Sequence, residues 1–236
     1  MSENKKIEII PAILPVSFKD LESHVTLLGG AAPRVQVDIV DGHYARGKTW
    51  PFRDRKSFDK IVEREHGLPA WDSIDYQFDL MVEQPELDLM KYVTAGATQV
   101  VIHARSPGAQ AALQALVDRR DEMGTFSVGA GIAIGATSPP DDLEPFESQF
   151  DFVQVMGIDH EGRQGEAFDK KALYLVERIH SRYPNLPIQV DGGITKENAL
   201  QLVEAGANRL VAGSAIFGAE DPRAAYKELY NLVNAH

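Results

Sequence analysis

Short apolar runs alternate along this chain with longer stretches whose apolar residues recur at helical spacing. The runs are IEIIPAIL (7–14), RVQVDIV (34–40), YQFDLMV (76–82), TQVVIHA (98–104), FSVGAGIAI (126–134), DFVQVM (151–156), PIQV (187–190) and RLVAG (209–213). Helical patterns follow at about 17–29, 54–65, 85–95, 108–121, 139–148, 169–183, 195–205 and 220–234, with cap residues such as Ser17, Asp169 and Thr195 at several starts. Eight β units, each followed by a helix, predict a single-domain (β/α)₈ barrel of the α/β class, a TIM barrel. The alternative is an open doubly wound sheet, which needs a glycine fingerprint after its first strand. PAILPVSF carries none, and the glycines follow the seventh and eighth runs instead.

Composition fits one such barrel. The 236 residues are 44% hydrophobic, and no Pro/Ser-rich or low-complexity tract marks a boundary. A formal net charge of −11 repels phosphate backbones and anionic lipid, so neither nucleic acid nor membrane is an expected partner. No apolar run approaches the roughly 20 residues of a membrane span, and no leader-like segment opens the chain. Cysteine is absent, which removes disulfides, thiolate nucleophiles and Cys-ligated metals. A cytoplasmic location is the expectation.

A (β/α)₈ barrel works at the C-terminal ends of its strands, and phosphate often sits in the loops after strands seven and eight. Gly192 and Gly193 follow the seventh run, and Gly213 and Ser214 the eighth. Bare backbone there can bring N–H groups onto phosphate oxygens. Strand alternation then sets the mouth. Val35, Val37 and Ile39 form one face of the second run, leaving Gln36 and Asp38 inward. By the same rule Gln77 pairs with Asp79, His103 with Arg105, and Gln189 with Asp191. Three converging carboxylates need a metal, a shared proton or an arginine to balance them. Asp41-Gly42, in contrast, reads as a turn.

Those residues carry a resemblance. PAIL, VDIVDGH (37–43), FDLMVEQP (78–85), AGAT…VIHA (95–104), VDGGIT (190–195) and AGANRLVAGSAIF (205–217) resemble, in order and over essentially the whole chain, the ribulose-phosphate 3-epimerase family of ribulose-phosphate-binding barrels. The resemblance implies a sugar-phosphate epimerase, an isomerase of pentose phosphate metabolism. It makes Asp38 and Asp191 the acid and base that move the C3 proton of D-ribulose 5-phosphate through an enediolate. It further implies a phosphorylated sugar bound by Gly192, Gly193, Gly213 and Ser214, with His103, Arg105, Met156 and Gly165 around it. A divalent metal on the two aspartates and two further ligands, and a dimer, complete the expectation.

The departures matter as much. Gln36 and Asp79 stand where the family has ligand histidines, and Ala12 where it has a serine. The loop IDHEGRQGEAF (158–168) replaces the family's PGFGGQ and brings in His160 and Arg163. The remaining donor set, Gln36, Asp38, Asp79 and Asp191, is all oxygen, which suits Mn²⁺ or Mg²⁺ better than Zn²⁺. No organic cofactor signature is present. Another isomerase or lyase on the same barrel, or a non-catalytic phosphosugar-binding protein, stands as the alternative.

Overall fold

The computed structural model describes residues 6–123, 128–159, 161–162 and 165–235, so His160 and Arg163 lie outside the described residues. Eight parallel strands close into a barrel in sequence order: β1 (Glu8–Ile13), β2 (Arg34–Val40), β3 (Asp75–Met81), β4 (Ala97–His103), β5 (Gly129–Ile134), β6 (Phe152–Met156), β7 (Ile188–Asp191) and β8 (Arg209–Ala212). The expected (β/α)₈ barrel is what the chain forms.

Around it lie α1 (Phe18–Leu28), α2 (Arg55–Val62), α3 (Pro85–Thr94), α4 (Ala109–Met123), α5 (Lys171–Arg182), α6 (Lys196–Glu204), the four-residue α7 (Ser214–Phe217) and α8 (Pro222–Val233). Ser17 accepts from the Asp20 amide at 3.2 Å and starts α1; Asp169 accepts from the Lys171 amide at 2.9 Å and starts α5. Asn198 reaches back to the Thr195 amide at 2.8 Å at the head of α6. The expected fifth-unit helix at 139–148 is a 3-10 helix, Pro140–Phe146. Pro145 inside it lacks the N–H that an α-helical ladder needs. α7, inserted between β8 and the last helix, had no apolar period long enough to predict.

The core has two parts. Most apolar burial lies between strands and helices, where Val35, Val37 and Ile39 face outward with Trp50, Phe58, Phe78 and Tyr92. Trp50 meets Phe58 edge-on at 5.4 Å and Phe78 at 6.4 Å, tying the β2–α2 connection to β3. Truncating Phe78 to alanine there would cost about 3–5 kcal/mol. Inside the barrel the apolar groups are fewer: Val101, Ala133, Phe152 and Met156 on one side, Ile10, Ala12 and Val211 on the other. The rest of the interior is polar, and that polar filling carries the site.

Candidate active site

Strand register places the polar interior in layers. Gln36 lies beside Gln77, and Asp38 beside Asp79, across β2 and β3; Gln154 lies beside Gln189, and Met156 beside Asp191, across β6 and β7. The lower layer is amides, fully buried: Gln36, Gln77, Gln154 and Gln189. Gln189 sits at its centre and its Nε2, with two protons, faces three acceptors: Gln154 Oε1 at 2.6 Å, Gln77 Oε1 at 2.9 Å and, more distant, Gln36 Oε1 at 3.2 Å. Gln77 passes the chain on to Gln99 Oε1 at 2.8 Å. Buried amides without partners would be costly, and here each is supplied by its neighbour.

The upper layer is acid. Asp38, Asp79 and Asp191 bring one oxygen each within 4.8 Å of one another. Gln36 Nε2 donates to Asp191 Oδ2 at 2.7 Å and Asp38 Oδ1 at 2.8 Å, and lies 3.5 Å from Asp79 Oδ2. Gln154 Nε2 donates to Asp79 Oδ2 at 2.9 Å and contacts Asp191 Oδ2 at 3.3 Å. His103 Nε2 meets Asp79 Oδ1 at 2.8 Å. Burial, then the charges of Asp191 and Asp79, push the Asp38 carboxyl well above the usual carboxylate range, against the Gln36 hydrogen bond. Burial, then Asp79, raise Asp191 to about 7, against Gln36 and His103. Two carboxyls so placed, both held above the usual carboxylate range, favour keeping a proton between them.

A cleft of about 480 Å³, open mouth included, runs from this pair to the glycine turns. It is lined by Asp38, Asp191, Met156, Gly165, Gly192, Gly193, Gly213 and Ser214. Ala12, Met81 and Ile158 add apolar wall, and Glu166 an acidic edge. Gly192 (φ 103°) and Gly193 (φ 66°) occupy the left-handed region, and a Cβ at either would lie 2.8 Å from Ile158 or Phe168. These glycines therefore seat the β6–α5 loop on the mouth.

His103 and Arg105 take other places. His103 lies under Asp79, its Nδ1 3.5 Å from Glu161 and its ring 5.0 Å from Tyr44. Burial first, then Glu161, keep the Tyr44 hydroxyl un-ionised. Arg105 is 68% exposed and points to Glu161 at 3.9 Å, so it does not balance the aspartates. Asp41 closes the turn expected of it, accepting from the amides of His43 at 2.7 Å and Tyr44 at 2.9 Å. Its second oxygen accepts from the Glu83 amide at 2.8 Å and ties that turn to the end of β3. Sequence reasoning missed Gln154, Tyr44 and Glu161. The alternation that exposed Gln36 applies equally to Gln154 in DFVQVM, whereas nothing in a loop sequence points Tyr44 or Glu161 at His103.

Three carboxylates this close have the spacing of a metal site, and their oxygens could hold a hard divalent ion. The amides around them do not fit one: Gln36 and Gln154 both present nitrogen to the carboxylates, and Gln36 Nε2 lies where it reaches all three.

A closed parallel barrel with a buried carboxylate pair at its C-terminal mouth, opening onto glycine turns after β7 and β8, places the chain among the (β/α)₈ barrel proteins. The chain belongs to the ribulose-phosphate 3 epimerase family, whose profile matches residues 8–217. It is 30% identical over 222 residues to ribulose-phosphate 3-epimerase of Candida glabrata, covering 91% of this chain and 87% of that one. To the Bacillus subtilis enzyme of the same name it is 29% identical over 231 residues, covering 94% and 98%. Among solved structures, 3-hexulose-6-phosphate synthase from Salmonella typhimurium superposes with TM-score 0.71 at 15% identity, covering 98% of this chain and all (100%) of that one. The last likeness is one of fold.

Proposed function

We propose that the protein epimerises carbon 3 of a phosphorylated ketose, interconverting D-ribulose 5-phosphate and D-xylulose 5-phosphate. The observation that carries this is the Asp38–Asp191 pair, hydrogen-bonded to one Gln36 nitrogen and lining the cleft that ends at Gly192, Gly193 and Gly213. The ketose phosphate would lie along the cleft with its phosphate on those backbone N–H groups. The C3 proton is acidified by the C2 carbonyl. The ionised member of the pair removes it on one face, and the protonated member delivers its proton to the other face of C3.

Charge is moved rather than created in this scheme. When the base takes the C3 proton its own charge disappears, and the negative charge passes to the enediolate lying over the same amide donors. Met81, Met156 and Ile158 keep water from the carbanion face. The three carboxylates alone would favour Mn²⁺ or Mg²⁺ over Zn²⁺ in an entering ion, but the Gln36 and Gln154 nitrogens turned to them oppose it; no step above passes through it.

The test is wash-in of solvent deuterium at C3 of ribulose 5-phosphate, followed by NMR together with xylulose 5-phosphate formation. Both are expected. Binding of the phosphosugar without exchange would make this a binding protein, and exchange at another carbon would make it a different isomerase.

A further inference from the structure

Resting on the epimerase reading, we infer that the amide nitrogens of Gln36 and Gln154, turned upward by Gln189, take the place of a divalent cation, so that this active site transfers its protons without a metal ion. An ion bridging three carboxylates must sit within bonding reach of an oxygen from each. Gln36 Nε2 already does so, at 2.7 Å, 2.8 Å and 3.5 Å from Asp191, Asp38 and Asp79. Gln154 Nε2 adds a second donor on the Asp79 and Asp191 side. The one Asp79 oxygen these leave open is held by His103.

The orientation of the two amides is fixed from below as well as from above. Ionised carboxylates only accept hydrogen bonds, so an amide facing them turns its NH₂ to them. Gln189 Nε2 only donates, so the amides it meets turn their oxygens to it, as Gln36 and Gln154 do at 3.2 Å and 2.6 Å. Presenting Gln36 Oε1 to a cation would set nitrogen against nitrogen in the lower layer. It would also set oxygen against the carboxylates should the ion leave. The whole glutamine layer would have to turn over together. A cation therefore competes with an amide network satisfied at both ends, in a space that network fills.

Two measurements on the intact parent protein decide this. After chelation and elemental analysis to confirm the absence of metal, C3 deuterium wash-in is expected to proceed at the untreated rate. Mn²⁺ added to the same sample is expected to show no stoichiometric binding by water-proton relaxation. Exchange that disappears on chelation and returns with Mn²⁺ would overturn the inference. Should no exchange occur with or without metal, the epimerase reading fails and metal-free proton transfer with it, while the relaxation measurement still decides the structural part: stoichiometric Mn²⁺ binding overturns the claim that the amides occupy the cation's place, and its absence upholds that claim alone.

Two variants add direction. Gln36→Glu exchanges the donating amide for a fourth carboxylate and is expected to lower metal-free exchange by about a hundredfold. It should also create a Mn²⁺ site visible by relaxation. Gln189→Leu frees Gln36 and Gln154 to turn, and should give Mn²⁺ binding visible by relaxation where the parent shows none. Full metal-free exchange in Gln36→Glu, in folded protein, would show that the amide does not stand in for a cation.

Discussion

His103 Nε2 and Asp79 Oδ1 meet at 2.8 Å between β4 and β3, with side-chain exposures of 1% and 0%. A pair so dry holds its proton by a balance of large opposing effects. Burial pushes the imidazole down, but the Asp79 charge and hydrogen bond, then Glu161 and Asp191, outweigh it and leave His103 at about 9. The imidazolium neutralises one of the three aspartates, which is why the mouth tolerates the other two. Arg105, the cation that strand alternation offered for this task, lies outside the cluster.

Stability should therefore fall on the alkaline side. The folded state binds the His103 proton more tightly than the unfolded chain, whose imidazole titrates near 6.5. The stabilisation is fully present below that pH and is lost as pH rises through about 9. Urea unfolding at pH 6 and pH 9.5 should show a loss on the order of 3 kcal/mol from this group. His103→Gln should be weaker than the parent at pH 6 and flatter across the interval. An identical slope in parent and variant would place the titration elsewhere.

The proposed catalytic pair sets a separate limit. Turnover by that scheme requires one proton on the two carboxyls; Asp38, the more strongly raised, holds it, and Asp191, raised to about 7, must be ionised to act as base. kcat/KM should therefore decline as pH falls through about 7, where Asp191 gains a proton. It should decline again in alkali, where Asp38 loses its proton. A rate level from pH 6 to 9 would mean that the pair does not share a proton.

Much of this was legible in the sequence, for physical reasons. Alternation in RVQVDIV, YQFDLMV and PIQVD assigned Asp38, Asp79 and Asp191 to one face, because a strand has no other way to present successive side chains. The turns after β7 and β8 were equally visible, since Gly192 and Gly193 hold φ values that other residues adopt at a cost. What Gln36 does was not legible. An amide offers nitrogen or oxygen, and only Gln189, distant in sequence and adjacent through Gln36 Oε1, decides which one faces the aspartates. Tyr44 and Glu161 were hidden for a related reason: loop residues follow no period, and their approach to His103 depends on how two loops pack.

Replacing the proposed acid–base carboxylate, Asp191, should separate chemistry from folding. Asp191→Asn keeps the shape and an acceptor for Gln36 but cannot carry the proton, so exchange at C3 should fall by about 10³–10⁴-fold. Phosphosugar affinity, resting mainly on backbone groups, should stay within about tenfold. The same change removes a carboxylate whose ionisation is opposed by burial and by Asp79, so the variant should melt higher than the parent at pH 8. Lower thermal stability together with lost activity would indicate a structural role for the charge.

The glycine turn offers the sharpest test of where phosphate binds. At Gly193 an added Cβ meets Phe168 Cα at 2.8 Å, and φ is 66°, so alanine must strain the backbone and displace the β6–α5 loop. The conformational penalty alone is about 1–2 kcal/mol. Gly165 shares a positive φ of 78° and lines the same cleft, but a Cβ there meets nothing within 4 Å. The two substitutions therefore share backbone strain and differ in whether the mouth is deformed. If phosphate rests on the N–H groups at 192–193, Gly193→Ala should raise KM by about tenfold or more with kcat much less affected, because the lost interaction is one of binding. Gly165→Ala should cost stability while leaving KM within about threefold. Equal KM effects in the two variants would mean that the Gly192–Gly193 turn holds the loop and not the phosphate. Steady-state kinetics beside thermal melts on both proteins make that distinction.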